Sequence, residues 1–143
     1  MEIKSKIAVV AILCFDSKVL LLKRCNPPLN WGAPAGRVHV GEKVVDGLLR
    51  EVKEETGLDC KIIMPVSVWE GVHNGENLLS ITFVCEAFSD KVILSDEHEE
   101  YTWVNFEQLS TWNKETDMEI SHWSILIEVA NQYKTFAENH KGK

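Results

Sequence analysis

The sequence has no C-x-x-C pair. Cys14, Cys25, Cys60 and Cys85 are scattered along its 143 residues, which argues against a zinc knuckle or a thioredoxin-like site and points to reduced, buried thiols. It also lacks an apolar run long enough to cross a bilayer. The first such run, Ile7 to Phe15, stops at Asp16, and no small-residue cleavage site follows it. The expectation is a cytoplasmic protein with no membrane partner. Nor is there a surplus of positive charge: the formal net charge of -7 disfavours a nonspecific grip on duplex nucleic acid, which depends on clustered Lys and Arg releasing counterions. A polyanionic substrate would need cations beside local basic residues. The D-x-D-x-D-G spacing of a calcium loop is missing, as are repeats, low-complexity tracts and linker-like shifts in composition. One domain over residues 1–143 is expected.

What is present is a globular composition, with 45% hydrophobic and 26% charged residues. A chain of this length buries roughly two-thirds of the surface its unfolded form exposes, so it needs neither disulfide nor structural metal. Ile7–Phe15 and Val19–Leu22 are rich in strand formers and flank Asp16-Ser17-Lys18, which predicts a largely buried hairpin. Asn26-Pro-Pro-Leu-Asn30 cannot extend either strand, because proline removes a ladder donor, and forms a loop leading to Trp31.

No proline interrupts Gly41 to Gly57, and Val45, Leu48, Leu49 and Val52 recur at helical spacing, with Gly57 as the stop. Cys60–Trp69 and Leu78–Phe88 read as strands joined by a loop from Glu70 to Glu76, and Tyr101–Val104 as a short strand. A second long helix is expected from Asp117 to about Glu138, with Ile120, Trp123, Ile127 and Ala130 on one face and Thr116 and Glu119 arranged as a capping box. This order fits a mixed α+β domain with a sheet between helices.

The chemistry concentrates in one segment, Gly36-x5-Glu42-x7-Arg50-Glu51-Val52-x-Glu54-Glu55-x-Gly57-Leu58. At 100° per residue, Glu51 and Glu55 share a helix face with Glu54 beside them, and Val45, Leu48 and Val52 are expected on the opposite side. Like charges one turn apart repel, and a hard divalent cation that prefers carboxylate oxygens, Mg²⁺ or Mn²⁺, would relieve them. The competing reading is a solvated charged face partnered by Arg50 and Lys53.

The segment resembles the box of the Nudix (MutT-like) hydrolases, G-x5-E-x7-R-E-U-x-E-E-x-G-U with U aliphatic, at every specified position. Seven fixed identities at roughly 5 to 10% each give a chance match of about 10⁻⁸ per starting position. The resemblance implies an α/β/α sandwich with a mixed sheet between helices, and divalent-metal-assisted attack of water on a nucleoside diphosphate linked to another group, X. It further implies that Glu51, Glu54 and Glu55 coordinate metal, joined by a backbone carbonyl near Ala35, and that Arg50 orients the neighbouring glutamates. One more glutamate before an aromatic-bearing strand is implied as a metal ligand or water activator. Glu97, six residues before Trp103, is chosen ahead of Glu100, against the reading of an exposed acidic turn. Either Glu51 or Glu97 would be the general base.

The loop from Gly36 through Arg37 to Gly41 lets backbone approach a ligand closely. Lys23 and Arg24 are candidate phosphate contacts, with an exposed basic pair as the alternative. Trp31, Trp69 and Phe83 are candidates to stack on a base, although burial is the commoner role of such residues. His73 is a candidate contact set against a plain surface histidine.

Ala33-Pro34-Ala35-Gly36 is similar to the Pro-Ala-Gly approach of some ADP-ribose pyrophosphatases, but Asn74 stands where many of those carry proline. The tyrosine of dinucleoside polyphosphate hydrolases is absent nearby, and His39 replaces a common acidic residue. The expected partner is a small nucleotide, with a second copy of the chain, as a homodimer, the further candidate. Two rivals stand against the hydrolase: a non-catalytic nucleotide-sensing module, which usually carries an eroded box and an attached DNA-binding segment, and an isopentenyl diphosphate isomerase, which needs a catalytic Cys that is not beside this box.

Overall fold

In the computed structural model, residues 1–27, 29–112, 126–129 and 131–132 are described. Strand β1 (Lys6–Phe15) turns through Asp16 and Ser17, both at positive φ, into the antiparallel β2 (Lys18–Arg24). This is the predicted hairpin. The chain then adds β3 (Trp31–Gly32), β4 (Ala35–Arg37), helix α1 (Val44–Thr56), β5 (Cys60–His73), β6 (Glu76–Ala87) and β7 (His98–Asn105). A 3-10 turn (Phe106–Gln108) and a short helix (Leu109–Trp112) follow.

Strand β1 organises the sheet. On one edge it pairs in parallel with β6, which pairs antiparallel with β5. Its other edge is divided: Ala8–Val10 pair with β4, whereas Cys14 and Phe15 pair with β2. Strand β2 then diverges to hold β3 on one side and β7 on the other.

The period-2 alternation of side chains sends Val9, Ala11 and Leu13 to one face, where Leu48 and Val52 of α1 cover them. Ile12 and Cys14 go to the other face, against Val104, Phe106, Leu109 and the helical residues Leu126 and Val129. The sheet therefore lies between helical layers, the expected α/β/α sandwich. Among the described residues no helix is long and apolar enough to cross a membrane.

Several expectations change. The segment expected to be a loop from Glu70 to Glu76 is mostly strand. Strand β5 runs to His73, and the reversal is made by Asn74 (φ 51°) and Gly75 (φ 77°) alone. Both residues are left-handed, the signature of a type I′ turn whose twist matches the flanking strands. The Tyr101–Val104 strand extends in both directions because β2 offers it a full-length partner. Trp31, where the expected proline loop ends, and Ala35–Arg37, of which Gly36 and Arg37 were expected in a loop, form short strands on the edges that β1 and β2 leave open.

In α1, Val45 is 47% exposed while Glu55 is only 5% exposed. Glu55 follows Leu48 by seven residues, almost two full turns, and so points into the core face rather than opposite it. The helix ends as predicted at Gly57 (φ 72°), whose N–H donates to Lys53 O. Most of the Asp117–Glu138 helix, including Thr116, Glu119, Ile120, Trp123 and Ala130, lies outside the described residues, although Ile127 packs against the second core.

A Cβ added at Gly75 would meet nothing within 4 Å, so the cost of Gly75→Ala is the left-handed backbone alone. Urea denaturation should show a loss of about 1 kcal/mol. Unchanged stability would mean that the turn tolerates a different geometry.

Candidate functional site

The Gly36–Gly57 segment is drawn together by one guanidinium. Arg50 donates from Nε to Glu42 Oε2 (2.7 Å), from Nη1 to Glu51 Oε1 (3.0 Å) and Glu54 Oε2 (3.1 Å), and from Nη2 to Glu42 Oε1 (3.1 Å) and Arg37 O (2.9 Å). Five contacts engage the five N–H groups an arginine has. Glu42 Oε1 also accepts from His39 N–H at 3.0 Å. With the Arg50 hydrogen bond as the leading cause, the Glu42 carboxyl is lowered to about 2, and Arg50 is in turn held more firmly protonated.

Gly36 of β4 lies directly against Glu51. A Cβ there would overlap the Glu51 carboxylate, so a larger residue would push that carboxylate out of its present position beside Arg50.

Glu55 occupies the boundary between core and cleft. It accepts a hydrogen bond from Ala35 N–H at 3.1 Å. Burial, together with the charges of Glu51, Glu97 and Glu54, outweighs that single donor and pushes its carboxyl up to about 8. Burial likewise raises Glu51, against the opposing pull of Arg50. Glu97 arrives from the segment before β7, which is tied to the end of β2: Cys25 N–H donates to Glu97 O (3.1 Å) and Cys25 Sγ to Asp96 O (2.9 Å).

Glu55 and Glu97 line one small cavity of about 140 Å³ together with His98, whose buried Nδ1 has no hydrogen-bond partner among the described residues. Arg24, Asn30, Gly32, Ala33 and Ala35 are shared with a second cavity of about 790 Å³, which spreads over β1 and β6.

The candidates from sequence separate accordingly. Arg24, Trp31, Ala35, Gly36 and Arg37 line the large cavity, as do His73 and Asn74. Trp31 is braced edge-on against Trp112, with centroids 5.3 Å apart. Lys23 lines neither cavity and pairs instead with Glu99 (3.3 Å) and Glu100 (3.9 Å). Phe83 is buried on the α1 side. The three box glutamates do not stand as one ready-made set: Arg50 holds Glu51 and Glu54, while Glu55 turns inward to Ala35. Among the described residues no three His, Cys, Asp or Glu side chains are grouped closely enough to grip an ion as they stand.

The donor chemistry nevertheless suits a hard divalent cation. Glu55, buried beside three further carboxylates with one neutral N–H for compensation, gives up its proton reluctantly, and such an ion would supply the positive charge that lets it ionise. Sequence reasoning passed over Glu42 as the main partner of Arg50, and also His98 and Asn30. The fixed spacing from Glu42 to Arg50 was a usable signal for the first, whereas the other two carry none.

Residues 4–128 match the NUDIX domain family. Over 98 residues the chain is 33% identical to an ADP-ribose pyrophosphatase from Methanocaldococcus jannaschii, an alignment covering 66% of this chain and 58% of that protein. The chain thus spans little more than half of that relative's length. It is 24% identical over 114 residues to the nucleoside triphosphatase NudI of Escherichia fergusonii, covering 68% of this chain and 80% of the relative. In fold it is similar to a NUDIX hydrolase from Nitrosomonas europaea, with a TM-score of 0.77 and 23% identity, over 94% of this chain and 75% of that one.

Glu55 also makes stability depend on pH. Below its ordinary value of 4.5 the carboxyl is protonated whether the chain is folded or not. Between 4.5 and about 8 the unfolded chain releases a proton that the folded chain retains, so stability falls as pH rises and the loss is complete above about 8. In chelator, urea unfolding of the wild type should weaken by a few kcal/mol across that window, and Glu55→Gln, which mimics the protonated acid, should remove most of the slope. Parallel pH profiles for the two proteins would contradict the burial of this charge.

Proposed function

This chain belongs to the NUDIX family, and from that premise we propose that it hydrolyses the diphosphate linkage of a nucleoside diphosphate joined to another group, X, with Mg²⁺ or Mn²⁺ as cofactor. The observation that carries the reading is the contact between two unlike cavities. An acidic one, with Glu55 and Glu97, adjoins a larger one with Arg37 in its wall, and Arg24 lines both. A diphosphate ester needs that juxtaposition: cation-binding carboxylates at one end, and guanidinium groups for the phosphoryl oxygens next to them.

Glu51, Glu54, Glu55 and Glu97, with backbone oxygen near Ala35, would hold the divalent ion. An ion held there would supply charge neutralisation for the phosphoryl oxygens and a more acidic water as nucleophile. Glu51 or Glu97 takes the proton from that water. Arg50 positions Glu51 and Glu54, which would give up contacts with its guanidinium in order to hold the ion. Arg24 and Arg37 hold the phosphate chain, Gly36 lines the same cavity with its open side taken by Glu51, and Trp31 borders the organic part of the substrate. Relatives named as an ADP-ribose pyrophosphatase and a nucleoside triphosphatase, and the Pro34-Ala35-Gly36 sequence, make ADP-ribose, nucleoside triphosphates and nucleotide sugars the first substrates to try.

The test is phosphate release with Mg²⁺, with phosphatase coupling where the products require it, across ADP-ribose, nucleotide sugars, canonical and oxidised nucleoside triphosphates, NADH and dinucleoside polyphosphates. One or more should be cleaved, and Glu54→Gln should abolish that turnover without altering thermal melting. Full activity in Glu54→Gln would overturn the metal assignment. Tight binding of a panel member with no cleavage of any would instead favour a sensing module. Between Glu51→Gln and Glu97→Gln, the variant that loses about 10²- to 10⁴-fold in kcat while still binding Mn²⁺ identifies the base.

A further inference from the structure

The pairing register places Arg37, Ala8, Ser80 and Trp69 in one row across four neighbouring strands. Arg37 is opposite Ala8, Ala8 opposite Ser80, and Ser80 opposite Trp69. Directly paired residues share a face, so all four project to the same side of the sheet. That is the side of the large cavity, whose lining includes Arg37 and Ala8, with Val10 and Thr82 in the next row.

Arg37 and Ala8 line the cavity itself, while Ser80 and Trp69 continue the row beside it, and the two small middle side chains leave little standing between guanidinium and indole. Three strand spacings separate the ends, about 14 Å. That is long enough for a ribose and phosphates to lie between a base on the indole and an oxyanion at the guanidinium.

Trp69 is unusual for a tryptophan on a sheet. It is 51% exposed, and its ring lies along the strand over Gly71, where an added Cβ would come within 2.8 Å of the ring carbons Cη2 and Cζ2. Gly71 pairs with Leu78, and Leu78 and His73 both line the cavity. The bare Cα of Gly71 therefore lets the indole lie low beside the cavity wall rather than stand away from the sheet. Of the other two aromatic candidates, Phe83 is buried on the opposite face and Trp31 is braced by Trp112.

We propose that Trp69 is the stacking platform for the nucleobase, seated by Gly71, and that it makes the site favour purine over pyrimidine nucleoside diphosphates. This rests on the reading of the cleft as a nucleotide site and goes beyond it by naming where the base lies. The fused rings of a purine cover more of an indole than a single pyrimidine ring does, so stacking converts ring area into preference.

The test measures binding rather than turnover. ADP, GDP, CDP and UDP are titrated into the protein in chelator by calorimetry and by tryptophan emission. Wild type should bind ADP and GDP more tightly than CDP and UDP. Trp69→Leu should weaken ADP about tenfold and level the four affinities, Trp69→Phe should retain most of the affinity but lose most of the ADP-induced quenching, and Gly71→Ala should behave like Trp69→Leu. ADP binding to Trp69→Leu at wild-type strength overturns the proposal, as does failure of wild type to bind any of the four. A protein that binds in this pattern yet cleaves nothing refutes the hydrolase and leaves the base site standing. One that cleaves substrates equally well with and without Trp69 does the reverse.

Discussion

The Arg50 guanidinium is the constraint on which the site depends. Its donors reach the loop through Glu42 and Arg37 O, and the helix through Glu51 and Glu54. Because they form a rigid planar fork, these partners are fixed relative to one another as well as to the arginine. A lysine could neutralise the same charge but could not set that geometry. Between β4 at Gly36 and the helix at Glu51, the fork fixes the Glu51 carboxylate on one side and the missing Cβ leaves room for it on the other.

Around this hub the protein keeps carboxylates in two different conditions. Glu42 is satisfied and strongly acidic, a structural anion committed to Arg50 and His39. Glu55 is buried, undersupplied with donors and reluctant to ionise. The contrast assigns different work to residues that look alike in sequence. Glu42 stabilises the fold of the loop, whereas Glu55 holds an unmet demand for positive charge at the floor of a cleft.

Some of this was legible in sequence and some was not. The helix, its Gly57 stop and the first hairpin follow from local patterns, and the structure forms them where those patterns point. The burial of Glu55 was also legible, since seven residues from Leu48 fixes its direction, but its charge invited placement on the solvent side. The Asn74-Gly75 turn carried its own signal and was obscured by the polar residues flanking it. Strand alternation sends Lys23 and Arg24 to opposite faces, but which of the two meets the cavities could not be read before β2 had found β3 and β7. The row from Arg37 to Trp69 was equally hidden, since it exists only once four strands, distant in sequence, have found their register.

The parallel pairing of β1 with β6 bears on how the molecule is made. Their register joins the start of the chain to a strand synthesised after helix α1 and β5, so the floor of the large cavity cannot exist until most of the site's other parts are in place. Contacts of such long sequence separation are slow to form, because chain closure must precede any return from packing. The α1 box, held by local contacts, can acquire its shape early and wait. During folding, the carboxylates gathered around Arg50 would thus take their places before the floor of the large cavity, which is the last part of the cleft to be built.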